Sequence, residues 1–248
     1  MSAADQSPHV KLFSHDPGVH NANLELSRAR ILEGGTWKKQ RVIKITPSAS
    51  MISVRVALSH ECLIFPPNQG VHKMVAEGHE VGIAYNTAIQ AILSHPALNE
   101  WEYILTVESD NVPPPDGIIK LIERMEKHPE FACIGGLYWC KGPGGCAHIW
   151  GDIRDPVVNY RPQAPVPNEL VECYGTSMGF NLWRLSMFKD PRIKWPLFQT
   201  KAGREGVGTQ DLAAWSELRK LGYRCAVDCA VLVGHYDVDG KFGPAGTM

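Results

Sequence analysis

The feature that most constrains this chain is the order in which short apolar runs alternate with helix-period segments between residues 41 and 138. Residues 41–46 are a β-rich run stopped by Pro47, residues 51–64 suit a helix before Pro66-Pro67, and residues 71–75 are a second short strand. Val81, Ala84, Ala88 and Ile92 then recur at helical spacing up to His95-Pro96. Residues 103–107, Tyr-Ile-Leu-Thr-Val, form a continuous apolar run of strand length, as a parallel strand covered on both faces requires. Ile118, Leu121, Ile122 and Met125 fall at i, i+3, i+4 and i+7 between Pro113-Pro114-Pro115-Asp116 and His128-Pro129, and residues 132–138 read as another inner strand. Strand, helix, strand, helix, strand, helix, strand is the order of an open, mostly parallel α/β sheet with helices on both faces.

The second half changes character. Residues 141–170 carry Gly142, Pro143, Gly144, Gly145, Pro156, Pro162, Pro165 and Pro167, too many breakers for a long helix. A strand is expected over 178–183, a glycine-containing loop over 194–208, a helix over 211–221 ending at Gly222, and a last strand over 224–233 that stops at Gly234-His235. Long loops in a compact domain are usually binding loops, and Gly203, Gly206 and Gly208 suit a lid that closes over a ligand. Residues 1–36 are polar and aperiodic and read as a tail or strap, leaving residues 37–248 as a single domain.

Composition narrows the function classes. With 25 Lys plus Arg against 26 Asp plus Glu, the net charge is −1, which argues against nucleic-acid binding through bulk positive charge. An apolar fraction of 44% supports a folded core in a chain of 248 residues. No basic segment followed by an apolar one opens the chain and no long apolar stretch follows, so a cytoplasmic protein without a membrane span is expected. The seven cysteines are scattered without a C-x-x-C pair and are expected to be mostly buried thiols. Cys140, Cys146, His148 and Cys173 match no standard zinc spacing.

Three short segments carry the chemistry. Glu108-Ser109-Asp110-Asn111 sits where a buried strand stops, and ligands of open α/β sheets bind outside the carboxyl ends of strands. Its structural alternative is a turn whose Asx residues cap the next helix. Gly208-Thr209-Gln210-Asp211 opens a helix, with Thr209 as N-cap and Asp211 at the positive end of the dipole on the simplest account. Gly234-His235 ends an apolar strand.

Together the segments resemble glycosyltransferases of the GT-A fold, particularly small bacterial and phage-type members related to the large inverting family. The matching stretches are Ile104-Leu-Thr-Val-Glu-Ser-Asp-Asn-Val-Pro-Pro-Pro-Asp-Gly, Ile134-Gly-Gly-Leu-Tyr-Trp, Gly175-Thr-Ser-Met-Gly-Phe, Thr209-Gln-Asp-Leu, Leu221-Gly-Tyr-Arg and Val227-Asp-Cys-Ala-Val-Leu-Val-Gly-His, covering about residues 41–236. The resemblance implies transfer of a sugar from a nucleotide diphosphate sugar, with a nucleotide-sugar half over 37–140 and an acceptor half over 141–248. It implies that Asp110 and His235 hold Mn²⁺ or Mg²⁺, which stabilises the departing diphosphate. It further implies Glu108 on the donor ribose, Asn86 close to the donor, the nucleotide base near Ile45, Thr46 and Pro47, and Asp211 as the base that deprotonates the acceptor.

Three residues depart from the family pattern: Glu108 for the commoner Asp, Gln210 for Glu, and Tyr85 for Arg. Tyr138, Trp139, Trp150 and Tyr174 flank the acceptor side as sugar-stacking or core aromatics. The acceptor is left open between a saccharide, a protein, a small molecule and a hydroxylated base in DNA. The rival readings are a catalytically silent nucleotide-sugar or glycan-binding module and a nucleotidyltransferase, although Pro47-Ser-Ala-Ser-Met lacks the basic glycine-rich loop of the latter.

Overall fold

A computed structural model of the protein describes residues 40–66, 72–78, 80–141, 145–203 and 206–236; the segment read as a tail or strap, 1–36, lies outside them. The strands are β1 Val42–Ser48, β2 His72–Glu77, β3 Tyr103–Val107, β4 Asn111–Val112, β5 Cys133–Leu137, β6 Ile149–Asp152, β7 Leu170–Thr176, β8 Phe180–Arg184, β9 Lys201–Gly203, β10 Gly206–Gly208, β11 Cys225–Leu232 and β12 Gly234–His235. The helices are α1 Val54–Glu61, α2 Val81–Ser94, α3 Gly117–Lys127, α4 Leu185–Phe188 and α5 Gln210–Lys220. None of them is long and apolar enough to cross a membrane.

Eight strands form one sheet in the order β2-β1-β3-β8-β5-β11-β7-β6. β1 is parallel to β2 and β3, and β11 is parallel to β5, while β8 and β7 run against their neighbours. The sheet is therefore mostly parallel, as the alternation over 41–138 requires. Parallel neighbours need a long crossover, and α1 and α2 supply those of the first three strands.

The apolar helix stripes meet the two faces of this sheet. Ile118, Leu121, Ile122 and Met125 of α3 are all 0% exposed and pack with Leu105 and Phe180. On the other face α2 and α5 bury Tyr85, Ile89, Ile92, Trp215 and Leu218. There Trp183 of β8 stacks on Trp215 at 5.1 Å and 17°, and the Trp215 indole N–H donates to the Thr176 carbonyl at 3.1 Å. Gly222, with φ +92°, ends α5 in the left-handed conformation that glycine adopts without strain.

Three segments differ from the expectation. β1 does not stop at Pro47 but runs on to Ser48, paired there with β2 alone, because its ladder with β3 ends at Ile45↔Thr106. The breaker-rich stretch 141–170 contains β6, and β7 follows it. Prolines exclude a long helix but not antiparallel strands near a sheet margin, where Pro162 itself bridges Trp150. The glycine-containing segment 194–208 forms the two-stranded β9–β10 hairpin.

One buried charge marks the fold energetically. Lys44 of β1 is 5% exposed beneath α1; burial pushes its amine down to about 8, Lys73 adds to the shift and Glu61 opposes it. Between pH 8 and 10.5 the unfolded chain binds more protons at this position than the folded one, so stability rises with pH across that window, and the cost is complete below it. Lys44→Met is expected to stabilise the protein at pH 7 by roughly 2 to 4 kcal/mol and to remove the rise, measured as urea midpoints from pH 7 to 10.5.

Candidate functional site

Two short segments meet above the carboxyl edge of the sheet. β4 pairs with β12 in antiparallel register, Asn111 opposite His235 and Val112 opposite Gly234, and the Tyr236 N–H donates to the Asp110 carbonyl at 2.6 Å. Asn111 is fully buried; its side-chain amide donates to the Gly234 carbonyl at 3.4 Å, and its own carbonyl accepts from His60 Nε2 at 3.0 Å. Asp110 and Asn111 therefore do not cap α3, whose N-cap is Asp116. They tie the end of β3 to the end of β11.

This ladder brings Asp110 and His235 together. Asp110 Oδ2 lies 3.5 Å from His235 Nε2, and His235 Nδ1 lies 2.7 Å from the Trp139 carbonyl. A carbonyl only accepts, so Nδ1 carries a hydrogen and Nε2 is left facing the carboxylate. That contact is attractive only with a proton or a cation between the two atoms. The ammonium of Lys141 also bonds Asp110 Oδ2, at 2.6 Å. Burial alone would raise the Asp110 carboxyl, but the hydrogen bonds and charges of His235 and Lys141 outweigh it and hold the group at about 2.

The other two acids lie within electrostatic reach. Burial, the Asp110 charge and the Asp211 charge together push Glu108 up to about 8. The Tyr85 hydroxyl donates to Glu108 Oε1 at 3.4 Å, so the tyrosine that departs from the family's Arg contacts the acid by hydrogen bonding. Asp211, 5% exposed, sits in the first turn of α5 and its Oδ1 accepts from the Leu212 N–H at 2.8 Å. Thr209 is the N-cap residue, yet its hydroxyl makes no capping bond. The Glu108 N–H donates to the Gly179 carbonyl, and a Cβ at Gly179 would lie 2.5 Å from the Tyr138 ring and 2.6 Å from Asn111 Oδ1. Only glycine permits that approach.

The remaining expected residues fall elsewhere. Thr46 is 2% exposed, its hydroxyl has no hydrogen-bond partner among the described residues, and the exposed lip beyond Thr46 and Pro47 is formed by residues 49–51. Asn86 donates to the Gly82 and Phe198 carbonyls, both at 2.7 Å, and accepts from the Leu197 and Phe198 N–H groups at 2.9 and 3.1 Å. All four of its bonding positions are engaged by backbone, so here it fixes the segment leading to β9. Glu80 adds to that joint through the Thr200 hydroxyl at 2.9 Å.

The aromatic residues mostly brace one another: Tyr138 stacks on His148 at 4.3 Å, Trp150 donates to Ser177 Oγ at 2.9 Å, and the Tyr174 hydroxyl donates to the Asp155 carbonyl at 2.7 Å. Lys141 has no signature in the sequence, because a lysine beside glycines carries no signal of where its loop folds. Of the cysteines weighed for zinc, Cys140 and Cys146 adjoin each other while Cys173 adjoins Cys225.

Among the described residues no group of three or more His, Cys, Asp or Glu could hold a metal ion. The Asp110–His235 pair nonetheless suits a divalent cation that takes its other ligands from substrate and water. The 3.5 Å separation matches the edge of an octahedron, about 3.0 to 3.5 Å for bonds of about 2.1 to 2.5 Å. A carboxylate oxygen with one imidazole suits Mn²⁺ well, and the Nδ1–carbonyl bond is the outer contact that orients a ligating histidine.

Similarity to solved structures supports the fold. A197 from STIV matches with a TM-score of 0.57 at 14% identity, over 84% of this chain and 96% of that one. GalNAc-T7, solved with UDP, GalNAc and Mn2+, matches with a TM-score of 0.56 at 10% identity, over 81% of this chain and 45% of the enzyme. The fold is thus GT-A-like, on a chain that spans a little under half of the second neighbour. No protein-family profile and no curated protein matches the sequence.

The Asn86 geometry separates two roles. If Asn86 fixes the 197–198 segment, Asn86→Ala leaves the Leu197 and Phe198 amides without partners and is expected to lower stability by roughly 1 to 3 kcal/mol. Those two amides should exchange with solvent faster in the absence of any ligand, read by hydrogen exchange; a residue serving only the donor would leave both measurements unchanged.

Proposed function

We propose that this protein is a metal-dependent glycosyltransferase that moves a sugar from a nucleotide diphosphate sugar to a hydroxyl acceptor with inversion. The observation that carries the reading is the Asp110–His235 pair at 3.5 Å, held by the β4–β12 ladder at the carboxyl edge of a GT-A-like sheet, beside Glu108, which feels the charges of both Asp110 and Asp211. Burial first, and then the charges of Asp110 and Asp211, displace Glu108 to about 8, and those two neighbouring charges favour a positively charged partner.

Asp110 and His235 would hold Mn²⁺ or Mg²⁺, which when bound stabilises the charge that develops on a departing diphosphate. Asp211 is fixed by its helix turn and by the Leu212 N–H, so one carboxylate oxygen keeps its orientation while the other can take the acceptor proton. Glu108 accepts a hydrogen bond from a donor hydroxyl when ionised, and Tyr85 sets its rotamer. Direct attack by the acceptor on the sugar carbon breaks the bond to the diphosphate from the opposite face and inverts the configuration.

Two substitutions test this. Asp211→Asn keeps the shape and the contact with Leu212 but cannot take a proton; transfer is expected to fall by about 10² to 10⁴-fold with donor affinity retained. A mutant with near wild-type transfer and a slightly lower melting temperature would mark Asp211 as a helix-start residue, for which a dipole term of about 0.3 to 1 kcal/mol is expected. Asp110→Asn is expected to abolish Mn²⁺ binding, followed by electron paramagnetic resonance with a nucleoside diphosphate present. Unchanged Mn²⁺ binding would remove Asp110 from the metal site, and donor binding without turnover in the wild type would favour the silent module.

A further inference from the structure

The described residues contain two pairs of adjoining cysteines. Cys173 and Cys225 face each other across β7 and β11 with sulfurs 3.9 Å apart, and both are fully buried. Cys140 and Cys146 differ in being partly exposed, with sulfurs 3.5 Å apart. They lie opposite each other on the two arms that follow β5: Trp139 bridges Ala147 in antiparallel fashion, Cys140 N–H donates to the Cys146 carbonyl at 2.9 Å, and His148 N–H donates to the Tyr138 carbonyl at 2.9 Å.

Cys140 and Cys146 are thus the cross-strand positions next to the Trp139–Ala147 bridge, joined by one backbone hydrogen bond, and positions paired in this way have Cα atoms typically about 5.5 Å apart. The spacing falls inside the range of about 4.4 to 6.8 Å that a disulfide spans. Closing the sulfurs from 3.5 Å to about 2.05 Å is a matter of small side-chain rotations rather than of backbone movement.

We propose that Cys140 and Cys146 form a modification site, an oxidisable pair whose disulfide fastens the arms beside the candidate metal site. The oxidant is a small-molecule disulfide such as glutathione disulfide. The thiolate of one cysteine of the pair attacks one of its sulfurs, breaking that S–S bond and releasing one small thiolate. The sulfur of the other cysteine then displaces the second small thiolate from the mixed disulfide. Two protein thiols are oxidised, one small disulfide is reduced to two thiols, and the two protein protons end on the released thiols. The Cys173–Cys225 pair is sealed in the core and is out of reach of the same reagent.

The same arms carry two contacts to the site: the Trp139 carbonyl that orients His235, and Lys141 on Asp110 Oδ2. A disulfide holds them in the arrangement in which the lysine occupies the oxygen a divalent cation needs. This consequence, unlike the bond itself, rests on the proposed metal-dependent function. Oxidation is expected to weaken Mn²⁺ binding by about two- to fivefold, the scale of one displaced exposed ion pair.

The full chain, equilibrated with glutathione disulfide in excess and then alkylated, reports the bond by peptide mass. The expected product joins the Cys140 and Cys146 peptides, leaves Cys173 and Cys225 alkylatable only after unfolding, and is absent in Cys146→Ser. Finding Cys140 and Cys146 both alkylated, or each carrying its own glutathione, would overturn the proposal. Mn²⁺ affinity is then compared between oxidised and reduced wild type and between the same two forms of Lys141→Met, where the difference should vanish. Equal affinity in both wild-type forms would overturn the coupling. A disulfide that forms in a protein binding no Mn²⁺ in either form upholds the modification site and refutes the metal-dependent reading instead.

Discussion

The site depends on a ladder two residues long. β3 and β11 are not neighbours in the main sheet, because β8 and β5 lie between them. Their extensions β4 and β12 nonetheless pair directly, passing over the ends of the strands that separate them. Each hydrogen bond of this bridge contributes only about 1 kcal/mol net, so the ladder does not create the arrangement by itself. The sheet places the two strand ends, and the ladder converts that rough proximity into a fixed register in which residue 110 and residue 235 share one small space.

How far this was legible in the sequence follows from which interactions are local. The period of Ile118, Leu121, Ile122 and Met125 and the apolar run of β3 are properties of single segments, and they predict the parallel half of the sheet correctly. β7 escaped because an antiparallel strand whose burial alternates only in part shows no run or period that stands out beside four prolines. The meeting of Asp110 with His235 was reachable from two chemically suggestive strand ends combined with a family resemblance. Lys141 was not reachable, since its place on Asp110 is set by the fold of the cross-strand arms and by nothing in its own neighbourhood. Asn86 shows the converse, a residue whose family position suggested a ligand while its four partners are all backbone.

The electrostatics of the edge follow from crowding rather than from any single residue. Asp110 is held near 2 by two nitrogen partners, whereas Glu108, two positions away, is pushed to about 8 by burial and by the charges of Asp110 and Asp211. Neighbouring carboxyl groups with such different environments are commonly assigned different tasks in active sites. A fold shared with solved structures at 10 to 14% identity supplies the frame, and the side chains of this chain set the electrostatics of its edge.

The joint at the start of α2 has a mechanical consequence. Gly82 lets the Phe198 carbonyl approach so closely that a Cβ would stand 2.8 Å from it, and Asn86 and Glu80 fasten residues 197, 198 and 200 on either side of that contact. A segment pinned in this way to a helix, and running through Gly208 into α5 at its other end, is hung between two fixed supports. The β9 strand that follows Thr200 therefore leaves from a bearing whose position is set by α2.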